Sequence, residues 1–309
     1  AMTLPNTDPL SGTYQALRLY QQLLAFHQND ADPIAYVVND LDRLALIRQV
    51  GTAPADRLPN EADLYRQTLT RQITRYKNNL AEAEYILALV QLLAENGQER
   101  PTPRRRYTMP DQEANVPSAD SARRGDRKQA AELARDLIAR FPNTTPAQTA
   151  RPLLDNLLRP SLGVDVEEAN EPGKPFRARV TFQNTPTLFY KILRVTAEEA
   201  RMLAQFDDYE TDPKRDKWFA AVQNHPVVAQ EQLTLPDDGD LHSHSVEVPV
   251  KGLPLGYYVL LVSNEGKWAK PSAGTAEVVS VGTFAVSNLS YVMAGGNYGD
   301  NREEKTIYV

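Results

Sequence analysis

Cysteine is absent from this chain of 309 residues. The absence excludes disulfides, zinc bound through thiolates and a cysteine nucleophile. It does not fix the compartment, because bacterial periplasmic proteins often lack disulfides. A run of about 18 apolar residues is also missing, so the sequence predicts no membrane-spanning helix. No signal peptide is visible, and we interpret the start at Ala1-Met2 as an expression scar followed by an internal boundary.

The remaining composition is typical of a soluble globular protein. The hydrophobic share of 41% and the charged share of 24% are ordinary, and the length favours two domains over one core. The 22 prolines predict many loops and strand edges. A net charge of -6 argues against a nucleic-acid partner. The acidity lies in the second half, where residues 161–309 hold 14 basic and 21 acidic side chains.

Residues 1–160 have apolar side chains at helical spacing, which predicts a helical domain. Asp32 and Pro33 are typical of an N-cap with proline at the first helical position, and Gly51 ends that helix. A long apolar seam, suited to antiparallel helix packing, then continues until Gly97. The seam consists of Leu69, Ile73, Tyr76, Leu80, Ala83, Leu87 and Val90.

Two further helices are predicted after a segment at 98–121 that is rich in Pro and Arg. That composition predicts a flexible loop. The first helix ends at Phe141-Pro142, and Thr145-Pro146 caps the second. The pair has the cadence of a tetratricopeptide-like helix hairpin, with small residues where the helices cross. A clean period of about 34 residues does not repeat, so we predict a helical hairpin array and not a true repeat protein.

Beyond Arg159-Pro160 the pattern changes to short stretches in which apolar and polar residues alternate. These stretches and their Gly/Pro turns predict an antiparallel immunoglobulin-like β-sandwich over residues 161–288. Thr196 and Glu199 form a capping box, which predicts a helical insertion at 197–222. The fold class is therefore α+β with two domains. The seven strand candidates are 162–166, 177–182, 188–195, 227–235, 245–250, 257–262 and 278–286.

The last residues, 289–309, contain two short strand candidates separated by the Gly/Asn-rich stretch GGNYGDN. We interpret them as the start of a following, truncated domain. Two strands alone cannot bury an apolar face, so we expect them to pair with each other.

The best metal candidate is the group Asp240, His242 and His244. On an extended strand these three side chains would lie on one face, where two imidazoles and a carboxylate bind zinc or copper. No fourth ligand is evident, and a polar, exposed strand entrance is the favoured interpretation. We therefore assign no metal ligand, and likewise no catalytic residue and no cofactor.

Three other clusters have simpler interpretations. The basic run at 104–106 is favoured as a solvated loop over a docking site for an acidic partner. The acidic run from Asp207 to Asp216 lacks the glycine of a calcium-binding loop and is favoured as a solvated loop. Tyr257, Tyr258 and Tyr291 could stack on a sugar, although alternate tyrosines in strands usually divide between core and surface.

Four stretches of sequence resemble bacterial alpha-2-macroglobulin-like proteins, in particular the very long ones of Bacteroidetes type. Their order and spacing match across roughly residues 125–309. Within these stretches, PLGYYVLLVS and FAVSNLSYV resemble the end of a macroglobulin domain. The four stretches are FPNTTPAQTA, VTFQNTPTLFYKILRV, LPDDGDLHSHSVEVPVKGLPLGYYVLLVS and GTFAVSNLSYV.

The resemblance implies a non-catalytic piece of a periplasmic or cell-surface protein that traps proteases. A lipid anchor is one implied form of attachment. The family's internal thioester needs a cysteine, so that chemistry cannot reside in this chain. The implied partners are the remaining domains of the parent chain and its target proteases, with no nucleic acid and no membrane insertion. Two alternatives stay open: a helical adaptor for a peptide or protein, and a carbohydrate-handling sandwich of an outer-membrane system.

Overall fold

The structure is a computed structural model. It describes residues 12–51, 61–96, 123–204, 217, 220–236, 239–268, 276–288, 292–294 and 306–308. The chain forms two compact units, Ala1–Leu158 and Arg159–Val309. The described regular elements are helical in the first unit, and the second unit combines strands with a short helix, so the class is α+β. None of the described helices is both long enough and apolar enough to cross a membrane.

The first unit contains six described helices, of which α4 is central. This helix contacts α2, α3, α5 and α6 and buries apolar side chains on several sides, from Ala81 to Leu93. The helices are α1 (Gly12–His27), α2 (Ile34–Gly51), α3 (Glu61–Arg75), α4 (Leu80–Asn96), α5 (Asp126–Arg140) and α6 (Thr145–Leu158).

Helix α2 begins as its sequence predicts. The carboxylate of Asp32 accepts a hydrogen bond of 3.1 Å from the backbone N–H of Ile34. The carbonyl of Pro33 accepts the first intrahelical bond, 2.9 Å, from Val37. Proline fits at this position because it has no N–H to leave unsatisfied.

The apolar seam from Leu69 to Val90 does not form one helix, because the chain breaks between α3 and α4. Asn78 adopts a left-handed conformation with φ of 66°, and the side chain of Asn79 accepts a bond of 2.9 Å from Ala81 N–H. The carboxylate of Glu82 accepts a bond of 2.7 Å from Asn78 N–H. The first bond satisfies a free donor in the first turn of α4 and the second fixes the chain just before it, so the cap outweighs the continuous apolar spacing.

Helices α5 and α6 are joined by a tight turn, and small buried alanines line both helices. The backbone N–H of Phe141 bonds to Leu137 and closes α5, as expected. The cap of α6 was assigned one residue too late: Thr144 accepts a bond of 3.4 Å from Ala147 N–H, so Thr145 is already helical. The predicted loop at 98–121 lies outside the described residues.

The second unit contains ten described strands. The strands are β1 (Ser161–Val166), β2 (Ala169–Asn170), β3 (Phe176–Gln183), β4 (Thr187–Val195), β5 (Val227–Thr234), β6 (His244–Val250), β7 (Gly256–Ser263), β8 (Val279–Val286), β9 (Val292–Ala294) and β10 (Thr306–Tyr308). Seven of the ten, all except β2, β9 and β10, match the seven candidates within one residue at each end.

Two sheets enclose the main core of this unit. One has the strand order β1-β3-β6 and the other β2-β8-β7-β4-β5. The strand β2 was not predicted from the sequence. It pairs in parallel with β8, so the larger sheet is mixed and not purely antiparallel as expected. Inward side chains from both sheets form one apolar cluster, for example Val180 and Phe182 against Leu260 and Phe284. A Cβ on Gly282 would lie 3.3 Å from Val166, so glycine lets β8 approach β1 closely.

The outer face of the five-stranded sheet carries a second apolar cluster. Helix α7 (Ala197–Ala204) contacts β7 and β8 and covers Val259 and Leu261. Val222, at the end of the insertion, is fully buried in the same cluster. Helix α7 and Val222 therefore cover part of this face of the sheet.

Strands β9 and β10 pair antiparallel, with Ile307 opposite Met293, as expected for two short strands at the end of the chain. Their assignment to a following domain stays a prediction.

Candidate functional site

The metal candidate does not form the predicted face, because its segment is a turn and not an extended strand. Leu241 has a left-handed φ of 62°, and β6 begins only at His244. One carboxylate oxygen of Asp240 accepts bonds of 2.9 Å from the backbone N–H of His242 and from the ring of His244. The carboxylate therefore holds the turn at the entrance of β6.

The three side chains also have different surroundings. The Nε2 atom of His242 is enclosed and has no hydrogen-bond partner among the described residues, whereas the ring of His244 lies 5.8 Å from the ring of Phe182. Asp240 and His242 are each 8% exposed, so the expected exposed strand entrance is also wrong for these two residues. Within the described ranges, no group of three His, Asp or Glu side chains is placed to hold a metal ion.

A carboxylate–imidazole pair lies at the start of α7. The capping box is confirmed: Glu199 accepts bonds from both the backbone N–H and the hydroxyl of Thr196, at 2.9 and 2.8 Å. Its other oxygen lies 2.9 Å from Nε2 of His225, a partner that sequence reasoning missed. Burial raises the pKa of Glu199, but the bonds from Thr196 and His225 outweigh it, so the pKa lies below 4.5. The pair joins the start of α7 to the approach to β5.

The outer face of the three-stranded sheet carries a row of charges. Asp165, Arg179 and Glu247 lie side by side in register across β1, β3 and β6. Arg179 bonds to Asp165 at 2.8 Å, and Arg177 pairs diagonally with Glu247. All four side chains are more than half exposed, so this face is solvated and each pair adds little stability.

The first unit buries a carboxylate on α2. Asp40 is 1% exposed, and its oxygens accept bonds from Tyr85 at 2.9 Å and from Arg43 at 2.5 Å. The amide of Gln72 lies 3.5 Å away. Burial first, and then the Asp40 carboxylate, raise the pKa of the Tyr85 hydroxyl. These groups join α2, α3 and α4, and each has a partner, as a buried polar cluster requires.

A second buried carboxylate fastens α4 to α5. Glu82 is 3% exposed and accepts a bond of 2.6 Å from Arg140, which also bonds to Asp136 at 3.0 Å. Glu82 therefore caps α4 and pairs across helices at the same time. The Asp40 and Glu82 clusters therefore both connect helices through hydrogen-bonded polar side chains, as structural contacts do.

Sequence reasoning also missed Lys191, a charged residue in an otherwise apolar part of β4. Its side chain is 7% exposed, and its amine lies 4.7 Å from the ring centroid of Trp268. Burial lowers the pKa of Lys191. The signal in the sequence is one lysine in the run TLFYKILRV.

The structure describes only some residues of the other clusters that the sequence analysis considered. Tyr258 is fully buried and Tyr257 is 46% exposed, which is the division between core and surface that was expected. Tyr291, the basic run at 104–106 and the acidic run from 207 to 216 lie outside the described residues.

Comparisons with known proteins give structural neighbours at low identity. No protein-family model and no curated protein matches the chain. Native alpha-2-macroglobulin from Escherichia coli matches as a fragment spanning domains MG0-NIE-MG1, with 16% identity over 46% of this chain and 42% of that chain and a TM-score of 0.28. A fragment of the same protein spanning NIE-MG1 matches with 16% identity over 46% of this chain and 65% of that chain and a TM-score of 0.25.

A CARDB domain from Pyrococcus furiosus, crystallised in complex with di-metal ions, also matches. Its identity is 9% over 42% of this chain and 90% of that domain, and the TM-score is 0.24. The chain spans less than two thirds of either Escherichia coli fragment. Because all three TM-scores are low, these neighbours do not place the chain in a family.

Proposed function

We propose that this chain is a non-catalytic structural and interaction fragment of an alpha-2-macroglobulin-like protein of bacterial, Bacteroidetes type. In this proposal the first unit is an array of helical hairpins and the second is an immunoglobulin-like macroglobulin sandwich. The parent protein traps proteases in the periplasm or at the cell surface, where a lipid anchor would hold it. The partners of the chain are then the remaining domains of the parent and the target proteases.

The observation that carries the proposal is that the buried acidic side chains bond to groups of the fold and hold its helices and turns together. Asp40 joins helices, Glu82 caps α4 and binds Arg140, and Asp240 holds the turn before β6. A catalytic acid or base needs a neighbouring group and space for a substrate. The oxygens of these carboxylates instead accept hydrogen bonds from backbone N–H groups and from side chains of the fold. This supports a structural role, and the resemblance in the sequence of the sandwich supports the proposed family.

The helical adaptor is kept as a second candidate because of one feature of α1. Leu19 and Phe26 are 56% and 77% exposed and lie seven residues apart, on the same side of the helix. An exposed apolar stripe of this kind is a contact surface for another helix or peptide.

The absence of catalysis is tested with a broad panel of hydrolase substrates. The proposal predicts no turnover above buffer. Turnover that is reproducible and is removed by one substitution at Asp40, Glu199 or Asp240, in a variant that still melts cooperatively, would overturn it. Pull-down of a defined partner by the wild-type chain, lost in a Leu19→Ser/Phe26→Ser double variant that still folds, would favour the adaptor.

A further inference from the structure

Lys191 is a largely buried lysine that has no acidic partner in the part of the chain that the structure describes. The strand β4 turns Leu188, Tyr190 and Ile192 into the sandwich core, so Lys191 lies on the outer face of the sheet. Its neighbours in register are Leu261 on β7 and Gln230 on β5. An ammonium has three donors. Among the residues that the structure describes, Lys191 makes no hydrogen bond or ion pair, and its amine lies 4.7 Å from the ring centroid of Trp268.

The backbone that leads to Trp268 is held by several contacts. The side chain of Asn264 donates to Ala276 at 2.7 Å and accepts from Val278 at 2.8 Å, which closes the loop between β7 and β8. Gly266 has a φ of 69° and lies against the ring of Phe189. The amide of Gln223 donates to the carbonyl of Trp268. The described part of the loop, residues 264–268, is therefore fixed beside Lys191 by contacts on two sides.

The surroundings of Lys191 favour an anion with an apolar body. The face of Trp268 has no lone pair to accept from the N–H donors of the Lys191 ammonium, so these donors remain for solvent or for an anion that reaches the amine. The lowered pKa of Lys191 has burial as its cause, without a contribution from a neighbouring carboxylate. Phe189 and Trp268 are partly exposed beside it, and Leu193 and Leu261 are buried.

We propose that Lys191 and Trp268 form a binding site for a carboxylate attached to an apolar group. The carboxylate accepts a charge-assisted hydrogen bond from the Lys191 amine, and the apolar group lies against Trp268 and Phe189. The carboxylate comes either from a free acid, such as a peptide C-terminus, or from a glutamate side chain. This proposal does not depend on the proposed role in protease trapping.

The site is tested by titration, with the fluorescence of Trp268 as the readout. The chain has two tryptophans, so the titrations use a Trp218→Phe background. The two probes are N-acetyl-leucine, which presents a terminal carboxylate, and N-acetyl-glutamate α-amide, which presents a side-chain carboxylate. The uncharged control is N-acetyl-leucinamide. A saturable change with at least one acid and none with the amide is expected, and the tighter acid identifies the source of the carboxylate.

Substitutions then separate the site from a general charge effect. Lys191→Met is expected to weaken binding by at least about tenfold, because it removes the charge-assisted bond. Lys251→Met, which removes an exposed lysine, is expected to leave binding unchanged. Equal responses to acid and amide, no saturable response to either acid, or unchanged binding in a folded Lys191→Met variant would overturn the proposal. If Lys191→Met does not fold, the comparison of acids with amide in the parent background decides the question.

Discussion

Gly252 lies directly against the backbone of Gly173. A Cβ on Gly252 would be 2.9 Å from Gly173 Cα and nearer still to its carbonyl group. Gly173 itself has a φ of 71°, and its N–H bonds to the carbonyl of Leu253 at 2.9 Å. The close approach fixes the turn before β3 against the turn before β7.

We therefore expect Gly252→Ala to lower the free energy of unfolding by about 1–3 kcal/mol, because two backbone segments must move apart. Gly163→Ala is the matched control, since a Cβ there would have its nearest neighbour at 3.9 Å. Urea unfolding of both variants measures the difference. Equal stability of the two variants would show that the turns separate without cost.

Removing the hydroxyl of Tyr85 tests the buried cluster around Asp40. Tyr85→Phe is expected to cost about 1–3 kcal/mol, because an enclosed carboxylate loses a donor. Tyr76→Phe is the control: its ring is stacked on that of Tyr85 at 5.8 Å, and it makes no hydrogen bond to Asp40. Chemical denaturation reports both changes, and a loss no larger in Tyr85→Phe than in the control would contradict a stabilising role for this bond.

The stability of the second unit should fall in acid through Glu199. Its pKa is lower in the folded protein than the ordinary 4.5, so its contribution is complete above that pH and is lost as the pH falls through the folded value. The stability difference between wild type and Glu199→Gln should therefore shrink below about pH 4.5. Glu198→Gln, which changes an exposed carboxylate of the same turn, is the control. A difference that stays constant from pH 7 to pH 3 would refute the assignment.

Truncation after Ser287 tests the tail. The N–H of Ser287 bonds to Asn170 at 2.9 Å, which completes the pairing at the end of β8, and β9 pairs with β10 farther along. The shortened chain should keep its cooperative melt. If the melt loses its cooperativity, residues 288–309 belong to the sandwich core and are not the start of a following domain.

The sequence predicted the sandwich strands well because their alternation is local. In β8, inward and outward residues alternate without interruption, and the burial follows the same period. The break between α3 and α4 was missed because apolar residues keep their spacing across it. The signal that could have located it is Asn79 followed three residues later by Glu82, which is the spacing of a capping box.

The sites were harder to predict than the strands because they depend on distant segments. Asp240, His242 and His244 have strand-like spacing, but the left-handed Leu241 turns the chain between them. The alternation of β4 places Lys191 on the outer face of the sheet, where a lysine is ordinarily solvated. Trp268 covers it from a loop that follows β7, and no local pattern contains that information.

Protease trapping by the full-length parent protein is the most direct test of the proposed function. The parent is mixed with an active protease, and cleavage of a small peptide substrate is compared with cleavage of a large protein substrate. The account predicts that the bound protease keeps its activity on the peptide and loses most of its activity on the protein, and that deletion of residues 161–288 abolishes this protection. Unchanged cleavage of the protein substrate in the presence of an intact, folded parent would contradict it.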